Sequence, residues 1–474
     1  MSALKPAVAQ RVPLWPLALA EPGQEFGPTE LTLLSGAVPP GLQGSLYRNG
    51  PGRLQRGEER VGHWFDGDGA VLAVHFGASR ATGLYRYVQT AGYQAEERAG
   101  HYQFGGYGMR AKWPGQAPKN AANTSVLALP DRLLALWEAG VPHRLDPETL
   151  ATQGLDFLGS RSLPSYSAHP KRDPRTGWIY NFGVELGRQG ILHLYRSDAQ
   201  GQIQAHTRHR LPELPLIHDF VLAGRYLLFW VPPVRLNPWP VLATLKSYSD
   251  SLRWDPGRPS QVWLFDRETL QLVCRNEAAP AFQWHFGNGY EDQNGSLIFT
   301  QVRYPDFTTN RHLAEVATGQ TQTAATASLW QIRVDSQSGR VVESEPLLER
   351  GCEFPTVEPA VVGQPHRYLY LLLHRQQADP ARELFGSLAR VDLQTGSLVE
   401  ADLGEGRYPS EPVYAQDAED PRRGWLLSVV FNGNQNRSEV WIWDAAQLDR
   451  EPYGRLELPE RIPLGFHGTW REGH

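Results

Sequence analysis

The chain has 474 residues, of which 46 are Gly and 37 Pro, so a helix-breaking residue falls about every sixth position and long amphipathic helices are excluded as the main scaffold. Apolar residues at 41% and charged residues at 20% exclude a disordered chain. A formal net charge of -5 supplies no basic field for a phosphate backbone, which argues against nucleic acid as a partner. The 15 Trp, 18 Tyr and 17 Phe stand out instead, as core mass or as the wall of an apolar ligand site.

In chain order, Lys5 and Arg11 precede the apolar run Val12 to Ala20, which has the layout of a secretory leader, but Pro13 and Pro16 make a poor signal helix. Residues 1–30 therefore read as an N-terminal extension of a single domain spanning 1–474. The segment Asp66-Gly-Asp-Gly69 begins like a calcium loop but lacks the later ligands, so tight Asp-Gly turns explain it better. The longest apolar stretch, Tyr226 to Leu245, carries four prolines together with Arg235 and Asn237 and cannot be a membrane-spanning helix. Within residues 230–245 the sequence favours no regular element. That stretch reads either as an exposed patch that touches a membrane surface or as a loop over the fold. Cys274 and Cys352 exclude a disulfide framework; two buried free thiols suit a reducing, cytoplasmic setting.

A repeat emerges from aspartates that follow short β-rich runs: Asp146, Asp198, Asp266, Asp335, Asp392 and Asp444, at intervals of 52 to 69 residues. Each reads as a strand, a turn in which Asp accepts backbone N–H groups, and a returning strand. Units of this length with several strands each predict an all-β propeller of six or seven blades; unrelated hairpins in a sandwich are the competing reading. Counting 18 to 23 residues onward from each aspartate reaches His169, His218, His285, Glu353, Glu411 and His467. This shared phase predicts convergence where each innermost strand begins, beside the propeller axis. The other eleven histidines share no phase.

Four neutral imidazoles suit iron, copper or zinc, and nearby carboxylates are expected to accept the second ring N–H and fix each tautomer. Glu353 and Glu411 are placed for that. Glu138, after the apolar run Leu133 to Trp137, is a third candidate outside the shared phase.

These residues sit in a set of motifs: Gly44-Ser-Leu-Tyr-Arg-Asn-Gly-Pro51, Trp64-Phe-Asp-Gly-Asp-Gly-Ala70, Ser167-Ala-His-Pro170, Ile217-His-Asp-Phe220, Trp284-His-Phe-Gly-Asn288, Cys352-Glu-Phe-Pro355 and Gly465-Phe-His-Gly-Thr-Trp470. In their order, over residues 44 to 470, the chain resembles the carotenoid cleavage oxygenases. The block Asn120 to Thr124, with Arg132 to Glu138 and Pro142 to Leu145, most resembles the cyanobacterial apocarotenoid oxygenases that yield retinal. The resemblance implies a seven-bladed β-propeller, capped by loops and short helices over one axial non-haem Fe(II) held by His169, His218, His285 and His467. It implies Glu138, Glu353 and Glu411 behind three of the four, and Thr124 beside the open coordination position. Phe286 stands where members often carry a second histidine, so His285 has no competitor.

No nucleophilic Ser, Cys or Lys accompanies the histidines, and every carboxylate in register has a structural task, so acid–base hydrolysis is poorly served. The expected reaction is addition of O2, the co-substrate, across one conjugated double bond of an apocarotenoid or carotenoid, giving two carbonyl fragments. The central 15,15' bond is the expected target. Trp137, Trp284 and Phe354 are candidates for the wall of the lipophilic polyene site, with blade packing as the alternative. Two other functions compete: cleavage of a stilbene, for whose phenols Tyr107 or Lys119 would serve, and a non-catalytic propeller binding protein with a structural metal.

Overall fold

In the computed structural model, which describes residues 12–77, 79–187 and 189–473, the strands form seven antiparallel sheets arranged as propeller blades. Blades two to six are consecutive four-stranded units at 125–155, 171–210, 221–278, 286–348 and 352–402. Blade seven runs through 407–457 and borrows Thr32–Gly36 as its outer strand, paired with Gly454–Glu457. Blade one is closed by both ends of the described chain: Phe26–Glu30 forms its outer edge against Arg80–Tyr87, and Gly468–Glu472 its inner edge against Gly44–Arg53. Residues 12–25 add the short helix Pro16–Leu19, with Trp15, Ala18 and Leu19 buried against Tyr408 and Phe431. Of the leader-like residues, Lys5 and Arg11 lie outside the described residues.

The predicted hairpins are the outer turns of the blades. Oδ1 of Asp146, Asp198, Asp266, Asp335, Asp392 and Asp444 accepts backbone N–H groups two or three residues on, the local bond that makes Asp the residue of choice there. Burial falls from the axis outward. The second strands Leu133–Leu136, Tyr226–Val231 and Tyr368–Leu373 are buried almost throughout because neighbouring blades cover both faces, which explains their uninterrupted apolar sequences. The outer strand Ile203–Arg210 alternates between half-buried and exposed positions.

Three sequence expectations need correction. The stretch 230–245 is regular: Trp230 and Val231 end a core strand, Val234–Leu236 pairs with Leu252–Trp254, and Asn237 caps the helix Pro238–Leu242. The consecutive Pro232 and Pro233 end the first strand, and the large apolar side chains exposed beyond it are Trp239, Leu242 and Leu245. Asp66-Gly-Asp-Gly69 is neither a calcium loop nor a pair of hairpin turns. Trp64–Asp66 is a single 3-10 turn, Asp68 begins a strand and binds Arg56 and Lys119, and a Cβ on Gly69 would meet the Ala122 carbonyl oxygen at 2.2 Å. Lys119 is likewise withdrawn as a partner for a phenol, because its Nζ lies 2.9 Å from Asp68 and 2.8 Å from Glu96. Cys274 and Cys352 are both free thiols, as expected, but only Cys352 is buried; Cys274 is half-buried.

The segments 88–124, 232–259 and 304–327 carry helices Ala91–Ala99, Pro238–Leu242 and Thr308–Thr318 and build a cap over one end of the axis. No helix among the described residues is long and apolar enough to cross a membrane.

Candidate metal centre

Each blade brings one residue to the axis where its innermost strand begins. Thr124 directly precedes Ser125–Ala128, His169 and His218 lie shortly before Lys171–Arg172 and Val221–Ala223, and His285 directly precedes Phe286–Glu291. Glu353 is the second residue of Cys352–Thr356, Glu411 lies between Arg407–Pro409 and Val413–Gln416, and His467 directly precedes Gly468–Glu472. Thr124 thus occupies the same position as the six residues that share the sequence phase; the count missed it because no hairpin aspartate marks the preceding blade.

The four imidazoles close on one another. Ring centroids are 4.5 Å apart for His169 and His218, 5.1 Å for His218 and His285, and 4.8 Å both for His285 with His467 and for His467 with His169. Nε2 of His218 and Nε2 of His285 approach to 3.3 Å.

The carboxylates stand behind these rings. Nδ1 of His285 meets Glu353 Oε2 at 2.6 Å, and Nδ1 of His467 meets Glu411 Oε1 at 2.8 Å. Because an ionised carboxylate only accepts, both rings carry their proton on Nδ1 and turn the Nε2 lone pair inward, the tautomer a metal requires. Glu138 Oε1 is held more loosely, 3.4 Å from His218 Nδ1 and 3.5 Å from His169 Nε2. Further contacts orient the two firm carboxylates: Tyr304 Oη donates to Glu353 at 3.2 Å, and the Gly468 N–H donates to Glu411 at 2.8 Å. Phe354 has φ of 54° in an irregular stretch of its strand, which folds its own N–H onto Glu353 at 2.6 Å.

Electrostatics follow from burial and pairing. Burial, with His218 nearby, drives His169 well below its ordinary value; burial also lowers His467, although Glu411 opposes it. At His285 burial pulls down, but the Glu353 carboxylate outweighs it and the net shift is upward. Burial would raise Glu138 and Glu411, yet the adjacent imidazoles overcome it and Glu138 falls to about 2.

At the heart of the cluster two buried atoms, His169 Nε2 and Glu138 Oε1, have no hydrogen-bond partner among the described residues. Donor atoms of His169, His285 and His467 lie within 4.8 Å of one another, as do those of Glu138, His169 and His218. Two nitrogens bound at right angles to one ion at ~2.1 Å would lie about 3 Å apart, so the His218–His285 approach is already close to coordination spacing. Inward lone pairs, an orphaned imidazole nitrogen and supporting carboxylates fit a first-row divalent metal.

A cavity of about 470 Å³ opens onto this centre. The sequence candidates Trp137, Trp284, Phe354, Tyr107 and Thr124 all line it. Trp284 stands edge-on to His218 at 4.9 Å, Phe354 stacks on His285 at 5.4 Å, and Tyr107 Oη donates to Asn310 at 2.8 Å. Phe65 and Phe466, which lie within the sequence motifs beside Trp64 and His467, also line it. Tyr248, Leu242, His312, His374 and Phe385 come from the cap or from strand ends, where no periodicity marks them.

A propeller with imidazoles on its axis and an apolar cavity above them fits a metal-dependent site for an apolar ligand, and comparisons with known proteins give its class. Residues 19–472 match the family model "Retinal pigment epithelial membrane protein". The chain is 32% identical over 460 residues to the apocarotenoid-15,15'-oxygenase of Synechocystis sp., covering 93% of this chain and 92% of that protein. It is 27% identical to the isoeugenol monooxygenase of Pseudomonas putida, covering 92% and 94% of the two chains. The crystal structure of a cobalt-substituted Synechocystis apocarotenoid oxygenase superposes with a TM-score of 0.89 at 30% identity, over 97% of this chain and 98% of that one. The chain belongs to the retinal pigment epithelial membrane protein family of carotenoid cleavage oxygenases and is an oxygenase of that class.

Proposed function

We propose that this protein is a non-haem Fe(II) dioxygenase that cleaves a conjugated double bond of an apocarotenoid or carotenoid, with the central 15,15' bond as target and retinal as product. The observation that carries the reading is the set of inward-facing imidazoles below a long, mostly apolar cavity. His169, His218, His285 and His467 would hold one Fe(II), and similarity to a protein crystallised with cobalt supports a divalent metal there. When bound, iron supplies the activation of O2 whose two oxygen atoms end in the two carbonyl products.

The chain's own residues do the rest. Glu353 and Glu411 accept the Nδ1 protons of His285 and His467, which fixes the tautomer and orientation of those rings and leaves each Nε2 free to bind a metal. The hydroxyl of Thr124 donates to Asn123 at 3.1 Å, which leaves its methyl to narrow the approach to the centre. Trp137, Trp284 and Phe354 present flat apolar faces that align a polyene and exclude water from the reacting bond. Cleavage position is then set by insertion depth. Leu242 lines the cavity, and Trp239, Leu242 and Leu245 are 76%, 57% and 70% exposed; this apolar patch would meet a membrane surface and collect the lipophilic substrate.

The test is incubation of the iron-reconstituted protein with an apocarotenal under O2, with chromatography of the products. Retinal and a second carbonyl fragment are expected; an intact polyene, with stoichiometric iron bound, overturns the reading. A hydroxystilbene in the same assay separates the stilbene alternative, since efficient cleavage of it alone would reassign the substrate. Replacing Trp239 and Leu242 with Ser is expected to weaken liposome binding several-fold, and unchanged sedimentation with vesicles removes the membrane contact.

A further inference from the structure

Away from the metal centre, most polar groups that line the cavity are already engaged: Tyr107 with Asn310, Tyr304 with Glu353, and Tyr408 with Glu383. His374 differs. It is 92% buried (8% exposed), it lines the cavity, and its Nδ1 is buried with no hydrogen-bond partner among the described residues. An apolar side chain would occupy such a place at lower cost, so the ring holds an unused hydrogen-bonding capacity.

Its position relative to the metal centre follows from strand register. Leu372 pairs with Glu353, and His374 N–H donates to the Gly351 carbonyl at 2.9 Å, so His374 sits two strand residues, about 7 Å, beyond the position opposite Glu353. The ring packs against Phe385 with centroids 4.5 Å apart, which fixes its plane.

A second cavity-lining histidine lies close by. His312, on the helix Thr308–Thr318, donates from Nδ1 to the Thr323 carbonyl at 2.8 Å. A carbonyl can only accept, so neutral His312 has its proton on Nδ1 and leaves Nε2 as a bare acceptor. Burial lowers both histidines, His374 to about 4, with His312 near enough to add to that shift. Both rings are therefore neutral near pH 7 and suit an uncharged partner better than a carboxylate.

We propose that His312 and His374 form a polar subsite of the cavity that binds a hydroxyl group on one end of the substrate, the hydroxyl donating to His312 Nε2 and accepting from the Nε2–H of His374, whose Nδ1 is enclosed by protein. This inference rests on the cleavage function proposed above and narrows its substrate to hydroxylated conjugated alkenes. A carbonyl would use only the His374 donor, and an unsubstituted hydrocarbon end would leave both rings unpaired. The hydroxyl could belong to a ring-hydroxylated apocarotenoid or to a phenol; the subsite chemistry is the same.

The experiment measures anaerobic binding to the iron-loaded protein by quenching of tryptophan emission, so that affinity is read without turnover. Two probe pairs are used: a 3-hydroxy apocarotenal with its deoxy counterpart of equal length, and 4-hydroxystilbene with stilbene. Wild type is expected to bind the hydroxylated member of a pair about five- to tenfold more tightly. His374→Phe should bring that ratio close to one, whereas His374→Gln, which retains a donor and an acceptor, should keep part of it. Equal affinities within both pairs for wild type, or a ratio unchanged in His374→Phe, overturn the subsite. Should His374→Phe not fold, His312→Leu supplies the same comparison. A hydroxyl preference confined to the stilbene pair would sustain the subsite while overturning the polyene reading, so the two failures are distinguishable.

Discussion

Two buried carboxylate clusters lie beneath the cap, and they are built for opposite ends. In the first, Asp68 and Glu96 face Arg56 and Lys119, with Asp68 2.8 Å from Arg56 and Lys119 2.9 Å from Asp68 and 2.8 Å from Glu96. Opposite charges meet there, and burial, which would lower Lys119 and Arg56, is outweighed by the carboxylates so that both are raised. In the second, Glu138, Glu353 and Glu411 face imidazoles, whose inward nitrogens are left for something else. The first cluster is electrostatically complete and ties the segment 88–124 to blade one. The second leaves acceptor nitrogens turned toward the axis in front of its carboxylates, an arrangement that a cation there would complete. Incompleteness, rather than burial or carboxylate content, is what separates a working site from a structural one.

The sharpest way to break this contrast is to remove one member of each cluster. His218→Ala is expected to lose tightly bound iron and lower cleavage by at least about a thousandfold, in the range of several kcal/mol of barrier, while circular dichroism stays native. Metal analysis beside the wild type reads the outcome; iron retained in the variant would mean that the axial histidines are packing residues. Asp68→Ala should do the reverse. It leaves two buried cations, Arg56 and Lys119, with Glu96 and the half-exposed Glu97 as their remaining carboxylates, at a cost of about 1–3 kcal/mol, seen as a drop in denaturation midpoint with iron stoichiometry preserved in the folded fraction.

A smaller effect is expected where a carboxylate only orients a ligand. Glu353→Gln keeps the shape beside His285 but removes the charge, and iron affinity should fall roughly 10- to 100-fold in a chelator competition. Smaller still is the response to acid, which neither cluster needs in order to appear. His63 and His143 are held by burial at about 3 and about 4, below the ordinary 6.5. Between pH 6.5 and about 4 the unfolded chain binds these protons and the folded chain does not, so stability is full above pH 6.5 and declines as pH falls through that window. Denaturant midpoints measured at pH 7.5, 6 and 5 should decrease in that order, and His143→Gln should flatten the slope.

Much of the architecture was legible because it is local or periodic. An Asp that accepts its own backbone N–H groups writes a hairpin into sequence, and six of them set the phase that leads to His169, His218, His285, Glu353, Glu411 and His467. Glu138 lies outside that phase because it follows the second strand of blade two, Leu133–Leu136, and reaches the axis from there. No local pattern encodes such an approach.

What the amino-acid order determined by itself was therefore the blade repeat, the axial histidines and the apolar character of the cavity wall, since hydrogen bonds within hairpins and one residue per repeat survive projection onto a line. Only the tertiary structure decided that Lys119 is consumed by Asp68 and Glu96, that the apolar stretch after Tyr226 divides into core strand and exposed helix, and that His312 and His374 line one cavity. Those outcomes depend on which groups from distant segments compete for the same partner. Competition of that kind is settled by distance in three dimensions.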